Sequence, residues 1–150
     1  MKINSDFKDL LRELNAAGVR YLIVGGYAVM VHTEPRYTKD LDLWIEPVES
    51  NADKLFVALA QFGAPTADVR PSDFTEAEVF FQIGLPPNRI DMIVTVPGVD
   101  FELAYARRGT MSIGQMQVPV ISRDDLIRAK LMAGRPQDLV DAGLLARGGK

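Results

Sequence analysis

The fold and the candidate site are decided by two short stretches, Tyr21-Leu-Ile-Val-Gly-Gly26 and Asp40-Leu-Asp-Leu-Trp-Ile45. The first is an apolar, partly β-branched run and predicts a buried strand that ends at Gly25 and Gly26, where backbone can approach a ligand closely. A helix is expected to begin there, and the free N–H groups at a helix N-terminus suit phosphate groups. A plain tight turn is the alternative for a glycine pair after a strand.

The second stretch predicts a strand with two carboxylates on the same face. Alternation along the strand sends Asp40 and Asp42 to one side of the sheet and the intervening apolar residues to the other. Acidic residues are disfavoured in strands and neighbouring carboxylates repel each other, so a bound cation is a good reason for the pair, although a solvated strand face is the alternative. Together with the glycines, the pair indicates a phosphate cradle beside a metal site.

The two stretches together resemble the nucleotidyltransferase superfamily that includes DNA polymerase β. The form Val24-Gly-Gly26, followed by Arg36-Tyr-Thr-Lys-Asp-Leu-Asp42, is similar to its minimal bacterial branch, the toxin-type and abortive-infection nucleotidyltransferases. The third metal-binding acid of the family is matched by Asp91, within the run Arg89 to Val96. The resemblance covers about residues 20–141, because the segment 130–141 is similar to the helical tail of the same branch.

The resemblance implies an enzyme that transfers a nucleoside monophosphate from a nucleoside triphosphate (NTP) to an acceptor hydroxyl, with Mg²⁺ in a two-ion site. Asp40, Asp42 and Asp91 would be the catalytic residues and metal ligands, and Asp91 would also accept the proton of the acceptor hydroxyl. For Asp91 the alternative is a surface ion pair with Arg89, which would contribute little to stability.

The nucleotide would be bound by the backbone of Gly25 and Gly26 and by several cationic or polar side chains. The side chains predicted for this role are Arg36, Thr38, Lys39 and Lys130. The first three directly precede the acid pair and can orient phosphate or support the carboxylates. Lys130 lies among apolar residues of a predicted helix, so it is either a phosphate clamp or a lysine at the edge of the core.

The later part of the predicted helical tail has a simpler explanation. Arg135 and Asp138 flank the break between two helices and are expected to form a structural pair there, with a role in the site as the alternative. His32 is the only histidine of the chain, so multi-histidine metal sites are excluded, and we expect it to be a packing or surface residue.

Length and composition predict one soluble globular domain over residues 1–150. Hydrophobic residues make up 47% and charged residues 25%, as in ordinary globular chains. A formal net charge of −3 argues against a long, sequence-independent nucleic-acid surface, but not against a local one. The absence of cysteine excludes disulfides, thiolate zinc sites and a cysteine nucleophile. Without a signal-like N-terminus or a long apolar run, the default location is the cytoplasm, with no membrane partner.

The order of apolar patterns predicts an α+β fold, a mixed sheet flanked by helices. The expected helices cover about 5–17, 26–31, 50–62, 100–107, 122–133 and 137–146, with Ser5 and Ser122 as N-caps. The expected strands cover 21–24, 40–45, 79–83 and 90–96, with two short pieces within 111–121. The strands 79–83 and 90–96 are predicted to form an antiparallel hairpin.

The acceptor is left open by the sequence. The resemblance suggests RNA, such as a tRNA 3′ end, or a partner protein, in a toxin–antitoxin or phage-defence setting with a cognate antitoxin. A second possibility is an antibiotic or other small molecule, which needs an acidic or aromatic pocket to which Tyr27, Trp44, Glu46 and Glu49 could contribute. A third is a non-catalytic binding protein that keeps the fold, against which the intact acids weigh.

Overall fold

The computed structural model describes residues 4–35, 40–76, 80–85 and 88–147. The described residues form a six-stranded mixed sheet with the strand order β3-β4-β2-β1-β6-β5. The strands are β1 (Tyr21–Val24), β2 (Asp40–Ile45), β3 (Phe80–Ile83), β4 (Arg89–Ile93), β5 (Gly109–Ile113) and β6 (Met116–Val120). The predicted α+β class and the β3–β4 hairpin are confirmed, while β4 ends at Ile93 and not at Val96.

The helices among the described residues flank this sheet and follow the predicted order. They are α1 (Ser5–Ala17), α2 (Gly25–His32), α3 (Glu49–Phe62), α4 (Phe101–Ala106), α5 (Arg123–Ala133) and α6 (Pro136–Ala146). A short 3-10 helix, Pro71–Thr75, adds to them. No helix in the described ranges is long and apolar enough to cross a membrane.

The apolar stripe of α1 is buried as predicted, but the helix starts differently. Asn4, and not Ser5, is the N-cap, and its side chain accepts a hydrogen bond from the backbone N–H of Asp6 at 2.7 Å. Asn and Ser are about equally good caps, so the sequence did not distinguish two neighbouring candidates. At α5 the predicted cap is confirmed, because the Ser122 hydroxyl accepts from the Asp125 N–H at 3.1 Å.

The centre of the sheet positions the candidate site. β1 and β2 are antiparallel, and Val24, the last residue of β1, lies opposite Asp42. β2 and β4 are parallel, and their register places Asp40 opposite Arg89 and Asp42 opposite Asp91. Parallel strands need a long crossover, which here contains α3 and β3. The chain therefore brings Gly25 and two strand acids together from distant parts of the sequence.

One aromatic residue of the polar segment 66–76 contributes to the core. Phe74, in the 3-10 helix, is fully buried and packs edge-on against Phe56 and Phe81, with ring centroids 5.7 and 5.8 Å apart. A single aromatic residue between polar neighbours has no periodicity, so the burial of Phe74 was not predictable from the pattern.

Candidate active site

Three carboxylates converge at the centre of the sheet. Asp40 and Asp42 come from β2 and Asp91 comes from β4, and one ligand oxygen from each lies within 4.8 Å of those of the others. The strand alternation gives Asp40 and Asp42 the same face, and the parallel register places Asp91 beside Asp42. The structure thus brings together the acids that the sequence predicted as metal ligands.

The other carboxylates of the cluster affect the pKa of Asp42. Burial, followed by the negative charges of Asp91 and Asp40, raises the pKa of the Asp42 carboxyl to about 7. The positive charge of Lys130 acts in the opposite direction. Carboxylates that repel each other at close range are stabilised by a cation, so the cluster has the electrostatic character of a cation site.

Arg89 connects two of the three acids and is not the surface partner of Asp91 that was the alternative. Its Nη2 donates to Asp40 Oδ2 at 2.7 Å, and its Nε lies 3.2 Å from Asp91 Oδ1. Asp91 is almost completely buried, so this is not an exposed ion pair. The spacing of Arg89 and Asp91, two residues apart on one strand, predicts their shared face, but the link to Asp40 depends on the cross-strand register.

Gly25 closes the site from the side of α2. Its φ is +71°, a left-handed value, and a Cβ at this position would lie 2.0 Å from Asp42 Oδ2. Glycine is therefore required both by the backbone conformation and by the approach to Asp42. The helix begins here, one residue before the predicted start at Gly26, and its N-cap residue Val24 gives no side-chain hydrogen bond to the first-turn N–H groups. Those groups can bind an anion.

A cleft of about 200 Å³ opens beside the carboxylates. Its polar lining includes Gly25, Asp42, Asp91 and Lys130, and much of the remainder is apolar: Ile93, Val96, Pro97, Leu126, Ala129 and Ala133. The α5 helix that forms this wall is anchored by Asp125, which is fully buried and ion-paired with Arg107 and Arg128. The cleft thus combines a polar end at the acids with an apolar wall.

Lys130 lies in this cleft as part of an ionic cluster. Its Nζ is 3.2 Å from Asp141 Oδ2 and 3.4 Å from Asp138 Oδ1, and both acids are buried on α6. The Lys130 side chain is only 13% exposed, so it does not extend freely into solvent as a lysine at the edge of the core would. Two buried acids hold its ammonium group between α6 and the carboxylate cluster.

Arg135 and Asp138 form the predicted pair at the helix break. Asp138 accepts from the Arg135 backbone N–H at 3.2 Å and from its Nε at 2.6 Å, at the start of α6. The hydrogen bond from the Arg135 side chain lowers the pKa of Asp138. Both residues also line the cleft, so the structural pair and the site share them.

Arg36, Thr38 and Lys39, predicted to bind nucleotide, lie outside the described residues. His32 ends α2 with its Nε2 2.8 Å from the carbonyl oxygen of Ile121, as expected for a packing histidine.

The proposed antibiotic pocket around two aromatic residues is wrong. Trp44 is buried against Phe101 with ring centroids 5.1 Å apart, and Tyr27 is buried against Phe7 at 5.9 Å. Of the two acids assigned to that pocket, Glu46 is paired with Arg20 at 2.7 Å, and Glu49 is exposed at the start of α3. Core packing, and not ligand binding, explains these aromatic residues.

Comparison with known proteins gives the family. A family model described as aminoglycoside-2''-adenylyltransferase matches residues 6–142. The chain belongs to this family. No curated protein sequence matches it. The predicted enzyme class, a nucleotidyltransferase, is confirmed at this level, while the toxin-type and abortive-infection branch stays a prediction.

Solved structures with the same fold are also nucleotidyltransferases by description. The lincosamide antibiotic adenylyltransferase LnuA, with lincomycin bound, aligns with a TM-score of 0.61 at 14% identity and covers 96% of both chains. A nucleotidyltransferase candidate from Thermotoga maritima aligns at 0.62 and 14% identity, over 89% of this chain and 86% of that one. An antigenic nucleotidyltransferase-like protein from Paracoccidioides brasiliensis aligns at 0.59 and 22% identity, over 92% and 72%. These likenesses confirm the predicted nucleotidyltransferase-like fold.

Proposed function

We propose that this protein transfers a nucleoside monophosphate from an NTP, in the first place ATP, to a hydroxyl group of a small-molecule acceptor such as an aminoglycoside antibiotic. The observation that carries the proposal is the convergence of Asp40, Asp42 and Asp91 within 4.8 Å beside the helix start at Gly25. This arrangement offers a cation site and an anion site next to each other, as a metal-bound triphosphate requires.

The residues present fit a divalent metal ion. The donor set consists of carboxylate oxygens, which are the ligands that Mg²⁺ prefers, and the missing Cβ of Gly25 lets the Asp42 carboxylate lie directly against the start of α2. Asp40, Asp42 and Asp91 would hold one ion or a pair. When bound, such ions polarise the phosphoryl oxygens and neutralise charge on the attacking and leaving groups.

Residues of the chain itself would accept the proton and bind the triphosphate. The acceptor hydroxyl oxygen forms a bond to the α-phosphorus, the bond from that phosphorus to the leaving pyrophosphate breaks, and the hydroxyl proton passes to the Asp91 carboxylate. The first-turn N–H groups of α2, at Gly25 and Gly26, would bind the triphosphate, and Lys130 would offset its charge. Asp138 and Asp141 would hold Lys130 in place. Arg36, Thr38 and Lys39 remain proposed nucleotide contacts.

The family match favours a small-molecule acceptor over RNA or protein. The family model is described by an adenylyl transfer to aminoglycosides and spans nearly the whole chain. LnuA, described as a lincosamide antibiotic adenylyltransferase, aligns end to end with this chain, so an antibiotic acceptor does not require a larger protein. The net charge of −3 also suits a cationic acceptor better than a polyanion.

The test is transfer of label from each α-labelled NTP in the presence of Mg²⁺. Separate reactions contain aminoglycosides, lincosamides, total RNA or a protein extract, and the Asp42→Asn variant is the negative control. We expect labelled antibiotic with ATP and none with the variant. Labelled RNA or protein would instead support the toxin–antitoxin or phage-defence setting, and the absence of any labelled product would favour a non-catalytic binding protein.

Two broader proposals accompany this function. We infer a single nucleotidyltransferase-like domain over residues 1–150, which the continuous sheet and the shared core of the described residues support. We also propose the cytoplasm as its location, because the NTPs that the reaction consumes are found there.

A further inference from the structure

Arg89 occupies a special place in the carboxylate cluster. The parallel register of β2 and β4 sets it directly opposite Asp40, while it precedes Asp91 by two residues on its own strand. Alternation gives Arg89 and Asp91 the same face of the sheet. A cation is thus built into the face that carries the three acids.

The contacts show which acids this cation serves. The guanidinium group reaches Asp40 through Nη2 at 2.7 Å and Asp91 through Nε at 3.2 Å, so one planar group connects two strands. The side chains of Arg89, Asp40 and Asp91 are 32%, 26% and 8% exposed. By contrast, the pair between Arg12 and Asp9 on α1 is 64% and 58% exposed. Arg89 thus makes a two-armed contact, one charge-assisted hydrogen bond to Asp40 and one close ion pair with Asp91, and partly buried contacts of this kind fix geometry better than exposed pairs do.

The charge balance gives this contact a consequence for metal binding. Without Arg89 the ionised cluster would carry three negative charges, and with Arg89 the net charge is one unit less negative. A nearby positive charge opposes the entry of a divalent ion and at the same time relieves the repulsion between the acids. The positive charge of Arg89 is therefore expected to stabilise the free protein and to lower its affinity for a divalent ion.

We propose that Arg89 is a positioning residue that holds Asp40 and Asp91 as a preformed pair of ligands and weakens the binding of a free divalent ion, so that metal binds chiefly together with the NTP. This inference rests on the proposed nucleotidyl transfer at the same site. Arg89 remains attached to the cluster from its own strand and needs no contact with substrate.

The test compares Arg89→Met and Arg89→Lys with the parent protein, and uses Arg12→Met as the matched control for loss of an ion pair. Thermal unfolding in EDTA and calorimetric titration with Mn²⁺ and Mg²⁺, both without nucleotide, are the readouts besides activity. For Arg89→Met we expect a melting temperature several degrees lower in EDTA and a metal affinity about tenfold higher, from the lost charge repulsion. Arg12→Met should change neither.

The lysine variant separates charge from geometry. Arg89→Lys keeps the positive charge but loses the two-armed contact, so its metal affinity should stay near that of the parent while kcat falls and the KM for Mg-NTP changes less. Unchanged stability and metal affinity in Arg89→Met, or a weaker metal affinity, would overturn the inference. A parent protein that binds neither divalent ions nor Mg-NTP would contradict the proposed function itself. A parent that binds metal, with an Arg89→Met variant of the same metal affinity and stability, would contradict only the role of Arg89.

Discussion

Replacement of Asp42 by Asn removes a largely buried negative charge that destabilises the folded protein. Burial, with the negative charges of Asp91 and Asp40, raises the pKa of Asp42 from its ordinary value of 3.8 to about 7. The folded state therefore favours the protonated form, which Asn imitates in size and neutrality. The contribution of Asp42 to stability is fully present below pH 3.8 and is lost as the pH rises towards 7. Asp42→Asn should retain that contribution at every pH.

The magnitude follows from the same values. The interval from 3.8 to about 7 corresponds to at most about 4 kcal/mol, because each pH unit is worth about 1.4 kcal/mol. Asp42 is partly exposed, so water screens part of this effect, and we expect about 2 kcal/mol at pH 8. For a chain of 150 residues this raises the melting temperature by roughly 4–8 °C.

The assay is thermal unfolding of the parent and Asp42→Asn in EDTA at pH 5 and pH 8. The advantage of the variant should be small at pH 5 and larger at pH 8, whereas Asp9→Asn, at an exposed acid of α1, should show no such trend. Addition of Mg²⁺ should stabilise the parent and not Asp42→Asn, which should also lose transfer activity. A variant that is equally or less stable than the parent at pH 8 would refute the electrostatic reasoning and identify Asp42 as a structural residue.

Three further substitutions test the glycines and the lysine. Gly25→Ala should cost at least about 1–2 kcal/mol from its positive φ and collide with Asp42, so adding Asp42→Ala should recover part of the lost melting temperature. Gly26→Val, in the first turn of α2, should abolish Mg-NTP binding in calorimetry with little change in melting temperature; unchanged affinity would show that the start of α2 does not bind the triphosphate. Lys130→Met should raise the KM for Mg-NTP roughly 10- to 100-fold, as loss of a charged hydrogen bond does, and Asp141→Asn should add little to it in the double variant. Additive losses in that double variant would show that Asp141 does not act through Lys130.

The parts of the fold that the sequence predicted are those with a strong local pattern. The apolar run of β1, the alternation of β2 and the Ser122 cap of α5 each depend on neighbours in the chain, and the structure confirms them. The convergence of Asp42 and Asp91 was predictable only with the help of the family resemblance, because the sequence of neither strand alone determines the register between two parallel strands.

The failures have the same physical origin. Trp44 was assigned to a pocket for an antibiotic, but Phe101 of α4 covers this end of β2 and buries its ring. The sequence pairs Arg89 with Asp91 alone, since the contact between Arg89 and Asp40 exists only across strands. Long-range packing determines which positions on a strand face a cleft and which are buried. This packing cannot be predicted from the local pattern of a single sequence.

The parallel pairing of β2 with β4 also determines when the metal ligands can come together during folding. The Asp42 and Asp91 positions are separated in the chain by a helix and a hairpin strand, and they meet only after this crossover has packed on the sheet. Contacts of such long sequence separation form late, because the cost of loop closure precedes their stabilisation. A bound ion would therefore slow unfolding far more than it speeds folding. Unlike a zinc finger, which is nucleated by its metal, this chain must fold before it has a site to fill.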